Sequence, residues 1–375
     1  AKKLVSSFRF EKRIPVAYVT DSLAERTKDM LEDEGFMITV NPNIDKKFLK
    51  AQRENYPVLG LIQDWKDANS ILSKFLSEDF DRFIVDVEGV TKGRPQFNIA
   101  KAIDAGTISS RFSSQNFNCQ QIPSKGSLTV NGVTYDFAIL TRGLFKPLEG
   151  CVLFKIDYSQ IEYRLIVSIA VGRGAEEARE AFRKDKKTDF HKYVMILSNL
   201  TRKYAKNMNF GVSFGMSVKS MAENFGWTLE HAQEISDQYH EHLPFVLPTL
   251  QLVGDIAKQR GYIKTICGNK ARLRNKNLAY TMLNRYTQGS GADIMKSAIV
   301  EFYNRELYKY LTLHTTVHDE LDGSVFPCDV DKVIELESIM ENTVKLNIPL
   351  SAEAEFGMNW ANMKSPSEWL EDADF

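Results

Sequence analysis

Cys151–Ile156 (CVLFKI) is a short apolar run that leads directly into an acid, Asp157. Such a run reads as a buried strand. From Ser159 to Ala170 the apolar spacing changes to that of a helix. Near the end of the chain, Leu311–Val317 and Leu321–Phe326 are β-rich and flank His318-Asp319-Glu320, which reads as a hairpin. Helical patterns fill about 175–260 and 278–310. These features predict a mixed α and β chain, with a small sheet surrounded by helices and acids at two strand ends.

The rest of the chain adds detail. Its first 20 residues are basic and lack clear periodicity. Ser22–Gly35 reads as a helix with a serine cap and a glycine stop, and 58–76 as a long helix after Pro57. Arg82–Thr107 is turn-rich and strand-like, punctuated by Gly89, Gly93 and Pro95. At 375 residues, two or more lobes are expected. Cys119, Cys151, Cys267 and Cys328 lie far apart with no C-x-x-C pair, which argues against a zinc ribbon or a disulfide framework. They fit a reducing, cytoplasmic compartment. No apolar run approaches the roughly 20 residues of a spanning helix, and the N-terminus lacks a signal peptide's apolar core.

The net charge of −1 by itself argues against a nucleic-acid partner, but the charge is unevenly spread. Arg260–Lys276 holds six basic residues and no acid, and Thr201–Ser220 holds four and no acid. An acid at a strand end projects from a rigid element and can hold a hard cation through oxygen. Two such acids in one cleft could make a two-metal site for displacement at phosphorus. Either acid alone reads as well as a cap, Asp157 for the helix starting near Ser159. Arg202, Lys206, Phe210 and Phe214 recur every four residues and so share a helix side. Cations suit phosphates and a ring suits a base or sugar, although snorkelling cations over core phenylalanines give the same pattern. Gly211 and Gly215 would leave the surface bare for a flat base.

These segments together resemble the family A, DNA polymerase I type, polymerases. DYSQIEYR (Asp157–Arg164), RKYAKNMNFGVSFG (Arg202–Gly215) and VHDEL (Val317–Leu321) are similar to the family's first palm, fingers and second palm motifs. SSRFSSQNFNCQQIP (Ser109–Pro123), Asp189-Phe190-His191, GYIKTICGNKARLR (Gly261–Arg274) and NRYTQGSGADIMK (Asn284–Lys296) also match, in order. The resemblance covers about 55–360 and implies an α+β right-hand fold, with a small antiparallel-sheet palm, helical fingers and a reduced helical thumb. It divides the chain into a basic segment at 1–20, thumb at 21–95, palm at 96–170 and 284–375, and fingers at 171–283.

The resemblance also implies roles. Asp157 and Asp319 would bind two Mg²⁺ ions, with Mn²⁺ as a substitute and the Tyr158 carbonyl as a further ligand. Glu320 would support them. His191, Arg202 and Lys206 would hold the triphosphate, Lys206 also serving as general acid, while Phe210, Phe214 and Gln160 complete the nucleotide site. Glu162 would be the gate against a 2′-hydroxyl. Arg111, Asn118, Gln120, Asn284, Gln288 and His318 would meet primer-template DNA. Lys74 and the 260–276 stretch would contact its backbone.

Two positions depart from the family pattern: Phe214 replaces the usual tyrosine near the gate, and Tyr163 replaces an aliphatic residue. Asp86-Val87-Glu88 has the D-x-E form of proofreading exonucleases, but the segment before Arg111 is too short for that domain beside a thumb. No exonuclease activity is expected. The predicted function is therefore template-directed DNA synthesis by a monomer, in a bacterial or phage-infected cell, with processivity or replication proteins as further partners. A single-subunit RNA polymerase or reverse transcriptase shares the two-aspartate palm, but Glu162 opposes ribonucleotide use. An inactive DNA-binding subunit would not need Asp157, Asp319, Arg202 and Lys206 intact.

Overall fold

A computed structural model describes residues 16–19, 37–40, 57–75, 84–87, 90–100, 106–130, 133–198 and 201–372. The basic first segment, the expected helix at Ser22–Gly35, and Glu88 lie outside the described residues, as do the side chains of Lys74 and Arg202. The chain divides into two units, 1–82 with 125–137, and 83–124 with 138–375.

In the smaller unit, Val16–Val19 and Met37–Val40 pair in parallel. Four-residue strands are too short to show an alternation, and the sequence reading did not find them. The helix Pro57–Phe75 starts on its proline, as expected at a first helical position. Ser127–Val130 and Val133–Asp136 form an antiparallel hairpin in this unit.

The larger unit carries the site. Its ordered elements begin with β1 (Val152–Tyr158), α1 (Ile161–Ile169), α2 (Phe190–Ser198) and α3 (Arg202–Ser213). Next come α4 (Leu229–His242), α5 (Val246–Arg260) and α6 (Met282–Asn304). They are followed by β2 (Leu311–Val317), β3 (Glu320–Val325), α7 (Val330–Asn342) and β4 (Ala352–Gly357). The four strands form one antiparallel sheet in the order β2-β3-β1-β4.

Alternation along β1 explains its two faces. Phe154, Ile156 and Tyr158 are buried with Leu321, Ala354 and Phe356 against Val333, Leu336 and Met340 of α7. Each such side chain contributes about 1.5–3 kcal/mol by leaving water. Lys155 and Asp157 alternate with them and leave the opposite face. Gly323, in the middle of β3, makes room for this packing. A Cβ there would lie 2.4 Å from Phe154 Cζ and 2.5 Å from the Thr312 carbonyl oxygen.

A second core joins the helices, with Tyr163, Phe182, Phe190, Met208, Tyr239 and Met282 at its centre. Arg164 of α1 is fully buried beside it. Its guanidinium donates to the carbonyls of Ser159 and Pro349, both at 2.8 Å, and to that of Lys186, and it lies 4.4 Å from the Phe182 ring centre. Burial lowers its pKa to about 10, so it stays charged at neutral pH.

The basic stretch after α5 folds into a hairpin, Tyr262–Lys264 with Lys270–Arg272, where periodicity had given no strand. Asp293 of α6 anchors it, accepting from Thr265 Oγ1 at 2.5 Å, Asn269 Nδ2 at 2.6 Å and the Cys267 amide at 3.1 Å. Lys264, Lys270, Arg272, Arg274 and Lys276 are left exposed.

Gly323→Ala should destabilise the protein by about 1–3 kcal/mol, because one neighbour is main chain and cannot give way. Urea unfolding measures this, and an unchanged midpoint would contradict the packing described.

Candidate active site

Strand pairing assembles the acids. In the sheet register Asp157 stands opposite Glu320 of β3 on one side and Glu353 of β4 on the other. The turn between β2 and β3 is tight, with His318 in the left-handed region at φ 60°. The Tyr158 amide donates to the Asp319 carbonyl at 3.1 Å, which closes the junction. Asp157 does not cap α1. Gln160 occupies that position, left-handed at φ 53°, and no side chain caps the helix there.

This crowding has an electrostatic cost. The Asp157 side chain opens to the cleft. Loss of water, then the charges of Glu320 and Asp319, raise its carboxyl to about 7, while Lys155 and Lys206 pull the other way. Such an oxygen-rich, under-neutralised set fits hard divalent cations. Among the described residues no group of three His, Cys, Asp or Glu side chains is arranged to enclose a metal. Ions here would need water and substrate oxygens as well. The Tyr158 hydroxyl donates to the Met340 carbonyl at 2.6 Å, on the core side.

A cavity of about 220 Å³ adjoins Asp157 and is lined by Gln160, His191, Lys206 and Phe210. Gln160 Nε2 donates to the Thr188 carbonyl at 3.0 Å, tying α1 to the loop before α2. Asp189 accepts from the His191 amide at 2.9 Å, which fixes the first turn of α2. Asn209 bridges α2 to α4. Its Oδ1 accepts from the Tyr239 hydroxyl at 2.6 Å, so its Nδ2 faces His191 Nδ1 at 3.0 Å. That assigns the imidazole proton to Nε2. Phe210 lies 5.3 Å from the His191 ring and stacks on Phe214 at 5.9 Å, with Lys206 Nζ 5.8 Å from the Phe210 ring centre. Arg202 begins this helix, one turn before Lys206. Lys155, Glu353 and Glu355 also line the cavity, and the sequence reading missed all three.

A third group converges at the same turn. Arg111 Nη2 lies 2.5 Å from Glu162 Oε1 and 3.5 Å from Asp319 Oδ1. Burial raises the Glu162 carboxyl although Arg111 opposes the shift. Burial, then the Arg111 charge, lowers His318. Gln120 Nε2 donates to the Thr316 carbonyl at 2.7 Å, and Asn118 precedes the same short helical turn. Asn284 and Gln288 sit one turn apart on α6, and that helix passes Asp319 at Gly291, where a Cβ would be 3.8 Å from Oδ1. The Oδ1 atoms of Asn118 and Asn284 and Oε1 of Glu320 are buried without a hydrogen-bond partner. Lys74 lies in the helix Pro57–Phe75, in the smaller unit.

The profile of DNA polymerase family A matches residues 20–362 of this chain. The chain belongs to that family. It is 28% identical over 336 residues to the thermostable DNA polymerase I of Thermus filiformis, covering 84% of this chain and 38% of the relative. A DNA-directed DNA polymerase of Pseudomonas phage M6 is 27% identical over 375 residues, covering 86% of this chain and 54% of the relative. The chain thus spans less than two thirds of either. Among solved structures, the POL domain of Pol1 from M. smegmatis, in complex with DNA primer-template and dNTP, superposes with a TM-score of 0.71 at 24% identity. That match covers 90% of this chain and 60% of that one, and it shows the same fold.

Two expectations for this family A member need correction. Gly211 does not leave a bare surface for a base, because a Cβ there would lie 1.8 Å from Met216 Cε. Gly215 is left-handed at φ +86° and packs near Tyr280, 3.2 Å from its would-be Cβ. Both glycines serve internal packing. Tyr163, which replaces an aliphatic residue beside Glu162, turns its ring into the helical core. It is fully buried, 5.1 Å from the Phe190 ring and 6.0 Å from that of His191.

A proton on Asp157 would compete with a cation bound there below about pH 7, rather than below the ordinary carboxylate range. Mn²⁺ affinity, followed by electron paramagnetic resonance, should fall by up to about tenfold per unit as pH drops from about 7, and level off above it. A flat profile down to about pH 5 would contradict the shift. Nitrogen NMR should find His191 Nδ1 unprotonated in the wild type, with the tautomers mixed in Asn209→Leu. A protonated Nδ1 in the wild type would remove the relay.

Proposed function

We propose that this chain is a template-directed DNA polymerase that adds dNTPs to a primer 3′ end and releases pyrophosphate, with no exonuclease activity in this chain. The observation that carries the reading is the strand pairing that sets Asp157 and Glu320 side by side next to Asp319, at the mouth of a cavity walled by Lys206, His191 and Phe210. Family membership supports it, as does the fold shared with a polymerase domain that binds primer-template DNA and dNTP.

Family A polymerases are metal-dependent. Two divalent cations, Mg²⁺ with Mn²⁺ as a substitute, would supply Lewis acidity to the attacking hydroxyl and the leaving oxygen. Asp157, Asp319 and the Tyr158 carbonyl would hold them, and Glu320 would support the site. Arg202 and Lys206 neutralise the triphosphate as charge shifts to the leaving group, and His191 helps to hold it. Lys206 gives a proton to pyrophosphate. Phe210 covers the sugar and base, with Phe214 behind it and Gln160 beside it. Glu162 meets the sugar edge and excludes a 2′-hydroxyl. With phenylalanine at 214, Arg111 is the group that holds the Glu162 carboxylate.

Arg111, Asn118, Gln120, Asn284, Gln288 and His318 contact the primer-template, while Lys74 and the 260–276 stretch meet its phosphates. Residues 21–95 act as thumb, 96–170 and 284–375 as palm, and 171–283 as fingers. Closure of α3 over a correct base pair completes the site. The protein works as a monomer in the cytoplasm, with any processivity proteins as partners. No described helix is long and apolar enough to cross a membrane.

The purified chain should extend a primer with dNTPs and Mg²⁺, and Asp157→Asn and Asp319→Asn should each lose about a hundredfold or more. Full extension by Asp157→Asn would refute the assignment. Dideoxynucleotides should be rejected relative to deoxynucleotides. Equal use would remove the role given to Phe210.

A further inference from the structure

One cation in the nucleotide cavity has no part in the roles above. Lys155 stands two residues before Asp157 on β1, so both side chains leave the same face of the sheet, about 7 Å apart along the strand. The register sets Glu355 and Asp322 beside Lys155, and Glu353 and Glu320 beside Asp157. Of these six ionisable side chains, Lys155 is the only base. Its Nζ pairs with Glu355 Oε2, and both residues line the cavity with His191, Lys206 and Phe210.

A partly exposed pair of this kind adds little to stability. Its position has a chemical consequence instead. A triphosphate reacting beside Asp157 would run its β- and γ-phosphates into the adjoining cavity, whose lining includes the cations Lys155 and Lys206. Lys206 and His191 enter that cavity from helices α3 and α2, whereas Lys155 enters from the sheet. A lysine is a compact charge on a flexible stem. It can exchange Glu355 for a phosphate oxygen without main-chain movement.

We infer that Lys155 is a further phosphate contact, reaching the β,γ end of the incoming nucleotide and the pyrophosphate product, with Glu355 as its resting partner. The inference rests on the polymerase reading for its substrate. No covalent step is added: Lys155 remains an ammonium throughout, and Glu355 is released when phosphate replaces it.

The test uses Mg²⁺-pyrophosphate binding by calorimetry alongside primer extension, for wild type, Lys155→Met and Glu355→Gln, with thermal unfolding as a check on each fold. Lys155→Met should weaken pyrophosphate binding and raise the KM for dNTP by about tenfold, the loss of one charge-assisted contact, with a smaller effect on kcat. Glu355→Gln frees the lysine and should move both quantities the opposite way, by about two- to threefold. Unchanged pyrophosphate binding in Lys155→Met would overturn the inference, as would equal losses in both variants, which a purely structural pair would give. A wild type that binds pyrophosphate through Lys155 but extends no primer would overturn the polymerase reading and keep this contact.

Discussion

The main-chain pairing of β1 with β3 is the constraint on which the rest of the structure depends. Six consecutive residue pairs, from Val152 with Val325 to Asp157 with Glu320, hold the two strand ends level. The Tyr158 amide bonded to the Asp319 carbonyl fixes the last step. Burial first, and then the neighbouring Glu320 and Asp319 charges, raise the Asp157 pKa. The sheet holds these carboxylates together because its other face buries Phe154, Ile156 and Leu321 against α7. Apolar burial on one face thus sustains crowded charge on the other, the kind of strain that functional sites store.

The facing wall is held differently. Tyr239, Asn209 and His191 form a buried relay across three helices, and Phe210 and Phe214 stack beside it. Arg164 secures the joint between sheet and helices through three main-chain carbonyls. Arg111 joins Glu162 to Asp319, so one cation serves two carboxylates. Asp157 and Glu320 sit on the sheet, while Arg202 and Lys206 sit on α3.

Much of this was legible in the sequence. The run Cys151–Ile156 and the hairpin around Asp319 showed as strands because one buried face leaves an apolar pattern. The helix Arg202–Ser213 showed its cations and rings at a spacing of four. Less was visible where the signal is not periodic. Glu353 and Glu355 lie in a short strand of alternating alanine and glutamate, which reads as an ordinary edge until β1 is placed next to it. Lys155 was hidden inside an apolar run. Gly211 looked bare because the sequence does not show Met216 folding back onto it. Gln160 and His318 both adopt left-handed backbone, which neither residue type announces in the sequence.

The central claim is that Asp157 and Asp319, brought together by the β1–β3 pairing and the turn before β3, hold the metal ions at which a nucleotide is added. Anomalous diffraction from crystals grown with Mn²⁺, a dideoxy-terminated primer-template and a matching dNTP tests it directly. The account predicts two manganese peaks bridged by Asp157 and Asp319, with the triphosphate running toward Lys206. Manganese bound elsewhere, or a triphosphate outside the cavity beside Asp157, would contradict it.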